Sequence, residues 1–153
     1  MQITHNQLLM DNEIIEIFKK NKSQHAVIIV LFRGKRLPKY CTPMIRKPKP
    51  KCNISLKNNL SKIYFSALKE NPAIKEGAIL IQLDGDAQII RGFSYRLFSP
   101  PSKTPRLENK GSGYNSSLDF SVVKRVMCVY FINKNGVQKF TKGKGETIFK
   151  LNA

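Results

Sequence analysis

Tryptophan is absent from this 153-residue chain, histidine occurs twice, and acidic residues number only ten. Scarce His, Asp and Glu remove the usual equipment for acid–base or metal-assisted attack on phosphodiesters. His5 and His25 fall in separate elements, and no H-E-x-x-H or G-x-S-x-G pattern occurs. Gly143-Lys144-Gly145 does not complete a phosphate loop, because Gly145 stands where that pattern needs Ser or Thr. Cysteine is also sparse. Cys41, Cys52 and Cys128 are odd in number and unevenly spaced, which excludes a disulfide framework and gives no zinc-ligand spacing. The expectation is three reduced thiols, no metal and no cofactor. No apolar run approaches the ~20 residues that span a bilayer, the longest being Ala26–Phe32. The start, MQITHNQLLMDNEIIEIF, lacks a charged n-region and cleavage site, and Asp11, Glu13 and Glu16 argue against a transit peptide. These features point to a reducing compartment, cytoplasm or organellar matrix, and away from secretion.

What is abundant is positive charge. Lys and Arg total 27 against 10 acids, a net charge of +17, which calls for a densely anionic partner. Nucleic acid comes before a membrane surface, since no strongly amphipathic basic helix supports the latter. The charge is densest in RGKRLPKYCTPMIRKPKPK, residues 33–51. It holds Arg33, Lys35, Arg36, Lys39, Arg46, Lys47, Lys49 and Lys51, four prolines and no acid. Four prolines forbid a regular helix or an inner strand, so an extended, partly polyproline-like arm leaving the body is expected over 33–53. A solvated linker is the alternative for such a run.

The chain length fits one domain with a real core. Met10, Ile14, Ile17 and Phe18 lie at helical spacing, and with acids early and Lys19, Lys20 and Lys22 late they predict a helix over 11–21. Thr4 and Gln7 have the form of a capping box. His25–Phe32 reads as a buried strand ending at Arg33-Gly34. Leu56, Leu60, Ile63, Tyr64, Ala67 and Leu68 predict a second helix, with Ser55 as cap and Asn71-Pro72 as stop. Residues 78–83 and 87–90 around Asp84-Gly85 predict a hairpin, followed by a bulge at Arg91-Gly92. The next strand would carry Phe93, Tyr95 and Leu97 on one face. Asp84 and Asp86 belong to the turn and are not a carboxylate pair for catalysis. Residues 99–117 read as a long loop in which Lys103, Arg106 and Lys110 offer further phosphate contacts and Tyr114 is an anchoring ring or, as the alternative, a ring that stacks on a base. Val122–Ile132, a turn at Asn135-Gly136, Val137–Thr141, a basic turn with Lys142 and Lys144, and Thr147–Leu151 complete a sheet. The fold class expected is α+β: an antiparallel, β-rich small barrel or sheet with one or two helices and the basic arm.

Three stretches also resemble the large-subunit ribosomal protein fourteen family. MQITHNQLLMDN is similar to its opening strand, which ends in an Asp-Asn pair, here Asp11 and Asn12. KIYFSALKENPAIKEGAILIQL, residues 62–83, resembles its G-D-[IV]-I-x-x-x-V-K and V-K-K-G-D-x-V-x-A-V-[IV] segments. CVYFINKNG with the later GETIFK resembles A-V-[IL]-I-N-x-x-G leading to G-T-R-I-F. Glu13-Ile14-Ile15 replaces that family's Ser-Gly-Ala, its Gly-Asp is missing, and the arm has no counterpart there. The resemblance implies a small β-barrel on ribosomal RNA without catalysis, and strand within residues 55–70, where periodicity predicts helix.

The function expected is therefore non-enzymatic RNA binding, as a ribosomal or other ribonucleoprotein component that contacts phosphates through the arm and loop, with no membrane or small-molecule partner. A DNA-binding accessory or replication protein of a phage or mobile element is the alternative, although no helix-turn-helix pattern is present. A small basic ribonuclease using Arg106, Glu108 and Tyr114 is a third class.

Overall fold

The structure, a computed structural model, describes residues 5–101 and 111–151, without the side chains of residues 5–7. Eight strands form one open mixed sheet: β1 (Val27–Arg33), β2 (Cys41–Pro43), β3 (Ile54–Ser55), β4 (Ala78–Asp84), β5 (Ala87–Leu97), β6 (Val126–Asn133), β7 (Gly136–Thr141) and β8 (Lys144–Lys150). The order is β2-β5-β4-β1-β6-β7-β8, with β3 also pairing β5. The α+β class holds. The sheet is not closed into a barrel, and it is not wholly antiparallel, because β1 and β4 pair in parallel. That pairing requires a long crossover, supplied by residues 34–77.

Three helices are described where one or two were expected: α1 (His5–Lys20), α2 (Leu60–Glu70) and α3 (Gly111–Phe120). Met10, Ile14 and Ile17 of α1 and Leu60, Tyr64 and Ala67 of α2 pack with Val27, Ile29 and Leu31 of β1. The alternate residues of β1, Val30 and Phe32, pack on the other face with Phe120 of α3. β1 is thus buried on both faces, and its unbroken apolar run follows from that position.

α1 begins six residues before the expected start. Its acids therefore lie mid-helix, with only Lys19 and Lys20 placed for the dipole. The expected capping residue Thr4 lies outside the described residues. Ser55 belongs to β3 and not to a helix cap, and α2 starts at Leu60, whose N–H donates to Glu13 Oε1 of α1 at 3.0 Å. Helix at 60–70 and an open sheet both differ from what the ribosomal resemblance implies. Phe93 and Tyr95 do not share a face: Ser94 has φ +61° between them, so Phe93 joins the α1–α2 core while Tyr95 packs on the α3 side. Residues 111–117 of the expected loop are helical. Both hairpin turns sit one residue from their expected places, at Gly85–Asp86 and Lys134–Asn135. Gly136 then starts β7, where a Cβ would meet the Phe149 carbonyl oxygen at 2.2 Å.

The basic stretch does not leave the body. Residues 34–40 cross the α3 side of the sheet, burying Pro38 and packing Leu37 beside Val30 and Leu80. β2 then pairs with Tyr95–Leu97, and β3 pairs with Ile89 and Ile90. Prolines without N–H groups suit this edge position, where half the ladder is not required.

Candidate nucleic-acid interface

The ends of β1 and β4 set the geometry. Their parallel register places Arg33 beside Leu83, so both strands finish at the same end of the sheet. β6 begins there, since Phe32 pairs with Val126. The turn after β7 is also there, because Val129 pairs with Phe140 and the Gly143 N–H donates to Ser121 Oγ at 2.9 Å. This end therefore gathers Arg33, Lys35, Arg36, Lys124, Lys142 and Lys144 from three separate stretches. All six are exposed. Among the described residues none of them forms an ion pair; the pairs found are Lys20–Glu16, Arg46–Glu76 and Lys139–Asp11. Asp84 lies at the same end, with Asp86 in the adjoining turn.

A backbone lattice holds the first part of this surface. Arg125 Nη1 donates to the carbonyls of Arg33 and Arg36, and Nη2 to that of Leu37. Gln82 Nε2 donates to the Gly34 carbonyl at 2.6 Å. Gly34, at φ +101°, sits where a Cβ would lie 2.7 Å from Arg125 Nη1. A planar guanidinium with five donors can gather several carbonyls at once. Arg125 therefore organises the surface, while Lys124 belongs to it. Lys124 adjoins Arg125 in the sequence, and the antiparallel pairing of β6 with β1 brings it to the site.

The remaining expected contacts divide. Lys39 lies toward the opposite end, next to Tyr40, whose carbonyl accepts from Phe98 N–H. Lys47, Lys49 and Lys51 are exposed along the β5 edge. Arg46 is half-buried and turned inward: Nε donates to Ser94 Oγ at 3.0 Å, and Nη2 pairs with Glu76 at 3.3 Å. Lys103, Arg106 and Lys110 lie outside the described residues, as does Glu108. Tyr114 makes edge-on contacts with Phe140 at 4.8 Å and Phe131 at 6.4 Å, as an anchoring ring would.

Two polar clusters lie elsewhere. Tyr130 Oη donates to Asp11, which also accepts from Lys139 Nζ at 3.0 Å. Burial first, then the neighbouring Cys128 and Asp11, pushes the Tyr130 hydroxyl far up. His25 Nε2 lies 2.7 Å from Tyr64 Oη, and its other ring nitrogen faces Ser23. Burial and then Lys75 hold His25 below its ordinary value, favouring the neutral ring. Cys128 is buried and its thiol is pushed up to about 12 by burial, while burial takes Cys41 to about 11. All three cysteines are free, and no group of three or more His, Cys, Asp or Glu is placed to hold a metal among the described residues. No described helix is long and apolar enough to cross a membrane.

No family model matches the chain, and no curated protein matches it. Solved structures do. A hypothetical membrane spanning protein from Bacillus cereus superposes with a TM-score of 0.64 at 16% identity, covering 97% of this chain and 65% of that one. DacA from Staphylococcus aureus, in an N166C/T172C double mutant, superposes with a TM-score of 0.57 at 16% identity, covering 95% and 87%. At that identity the likeness is one of fold. This chain spans just under two thirds of the Bacillus cereus protein.

Proposed function

We propose that this protein binds RNA through its phosphates, without catalysis, as a component of a ribonucleoprotein in a reducing compartment. The carrying observation is the sheet end where Arg33, Lys35, Arg36, Lys124, Lys142 and Lys144 converge without ion pairs among the described residues. Unpaired, exposed cations gain most from a polyanion, which releases condensed counterions when they bind. Open sheets with parallel strands also receive ligands beyond the strand C-termini, where β1 and β4 both finish. The Lys47–Lys51 edge would extend the contact.

The test is binding of a structured RNA across a salt series. Charge reversal at Lys142 and Lys144 should weaken binding for unrelated RNA sequences and flatten the salt slope, by roughly 1 for each phosphate no longer neutralised. Reversal at Lys47, Lys49 and Lys51 should do the same to a lesser degree. Unchanged affinity and slope in both variants would sink the reading. Equal or tighter binding to duplex DNA or anionic vesicles would redirect it, and RNA cleavage by the purified protein would replace it with the ribonuclease class. The fold likeness to DacA supports a second reading, that this chain shares the activity of DacA. Assaying both proteins side by side for that activity decides it.

A further inference from the structure

The outer edge of β5 is paired twice and left open between. Met44 N–H closes one end on the Ser94 carbonyl at 2.9 Å, and Asn53 N–H closes the other on the Ile90 carbonyl at 2.7 Å. Between these points residues 45–52 bow away from Arg91–Phe93. Pro48 and Pro50 cannot donate to the ladder, so the strap has reason to arch there. The arch leaves a cavity of about 240 Å³. Its lining includes the apolar Met44, Phe93 and Tyr95 and the cations Arg46, Lys49 and Arg91, and no Asp or Glu lines it.

The cations are not used up by the fold. Arg91 Nε is buried with no hydrogen-bond partner, although Nη1 donates to Gln82 Oε1 at 2.9 Å and to the Lys35 carbonyl at 3.5 Å. A buried donor left unpaired costs free energy that a ligand acceptor would restore. Arg46 spends Nε and Nη2 on Ser94, Met44 and Glu76, and its Nη1 has no partner among the described residues. Lys49 is exposed at the rim. The volume falls below the roughly 300 Å³ where drug-sized pockets begin, which limits the occupant to about one ring and one charged group.

We propose that this cavity is a binding site for a small ring-bearing phosphate monoester. Its dianion would lie among Arg46, Lys49 and Arg91, and its ring would rest on Met44, Phe93 and Tyr95. The site borders the surface assigned to RNA, since Arg91 Nη1 also reaches the Lys35 carbonyl at 3.5 Å, but it includes neither Lys142 nor Lys144 and does not depend on that assignment.

Phenyl phosphate is a suitable probe for the full chain, followed by amide chemical shifts. Saturable shifts are expected in residues 44–53 and 91–95. Inorganic phosphate and benzyl alcohol, each carrying half the chemistry, should bind at least about tenfold more weakly. Lys49→Gln, at an exposed position, should weaken phenyl phosphate about fivefold, while Lys142→Gln leaves it unchanged. Inorganic phosphate binding as well as phenyl phosphate, equal loss in both variants, or shifts centred on residues 142–144 would each overturn the proposal. Failure of RNA binding in the earlier test would leave these outcomes untouched.

Discussion

Asp11 accepts from both the buried Tyr130 hydroxyl and the half-buried Lys139 ammonium, and these neighbours show what such a position is worth. The Asp11 and Lys139 side chains are only 15% and 12% exposed, so their ion pair is screened far less than a surface pair. Lys139 also lies over the Tyr130 ring at 5.5 Å. Tyr130→Phe removes one donor and leaves the pair intact, with an expected loss of about 1 kcal/mol. Asp11→Ala strands both a buried ammonium and a buried hydroxyl, with an expected loss of about 3–4 kcal/mol. Urea unfolding of the two variants measures the difference; equal losses would mean that Tyr130 and not the ion pair holds α1 to the sheet. Two other residues make stability depend on pH in opposite senses. His25 is held below its ordinary 6.5, so the native state binds fewer protons just below that pH. Its contribution is complete above about 6.5 and lost as pH falls. Glu13 is raised above 4.5 by burial, against the Leu60 N–H, so the native state binds more protons and stability falls as pH rises from there. Melting curves from pH 4 to 8 should show His25→Gln flattening the upper slope and Glu13→Gln the lower.

Among the elements, the basic strap depends on one side chain far from it in sequence. Arg125 reaches back to the carbonyls of Arg33, Arg36 and Leu37. Arg125→Ala should cost about 2 kcal/mol and expose Lys35 and Arg36 to trypsin in the native state. Arg125→Lys should not restore protection, because an ammonium cannot span three carbonyls as a planar fork does. Such long-range contacts also mark where the sequence stopped being informative. β1, β4 and the β6–β8 meander were legible because alternation and Asn, Asp and Gly turns are local signals. α3 was not. Gly111, Gly113, Asn115 and three serines disfavour helix, and the segment is helical because Tyr114 and Phe120 are held in the core. The start of α2 was hidden for a related reason, since its first N–H is met by Glu13 of another helix and Asn59 makes no side-chain cap. At the candidate interface the charges were legible singly. Their convergence was not, because it rests on the antiparallel pairing of β6 with β1 and of β7 with β6.

For the whole molecule, a net charge of +17 on 153 residues is a standing repulsion. Three ion pairs are found among the described residues, and two of them, Lys20–Glu16 and Arg46–Glu76, include a side chain about half exposed or more. Little of the surplus is cancelled within the fold. If the surface is self-repelling, added salt should stabilise it: screening shortens from roughly 30 Å at 0.01 M to roughly 8 Å at 0.15 M. Raising sodium chloride across that range should raise the melting temperature by several degrees, on the order of 1–2 kcal/mol for a chain of this size. The same salt should weaken RNA binding, because there the cations already have partners and free ions compete for them. Opposite signs from one titration separate a surface shaped for a polyanion from one whose charges are balanced by unnoticed internal pairs. A melting temperature that stays flat or falls with salt would show that the positive charge is already neutralised within the protein, and the need for an anionic partner would disappear with it.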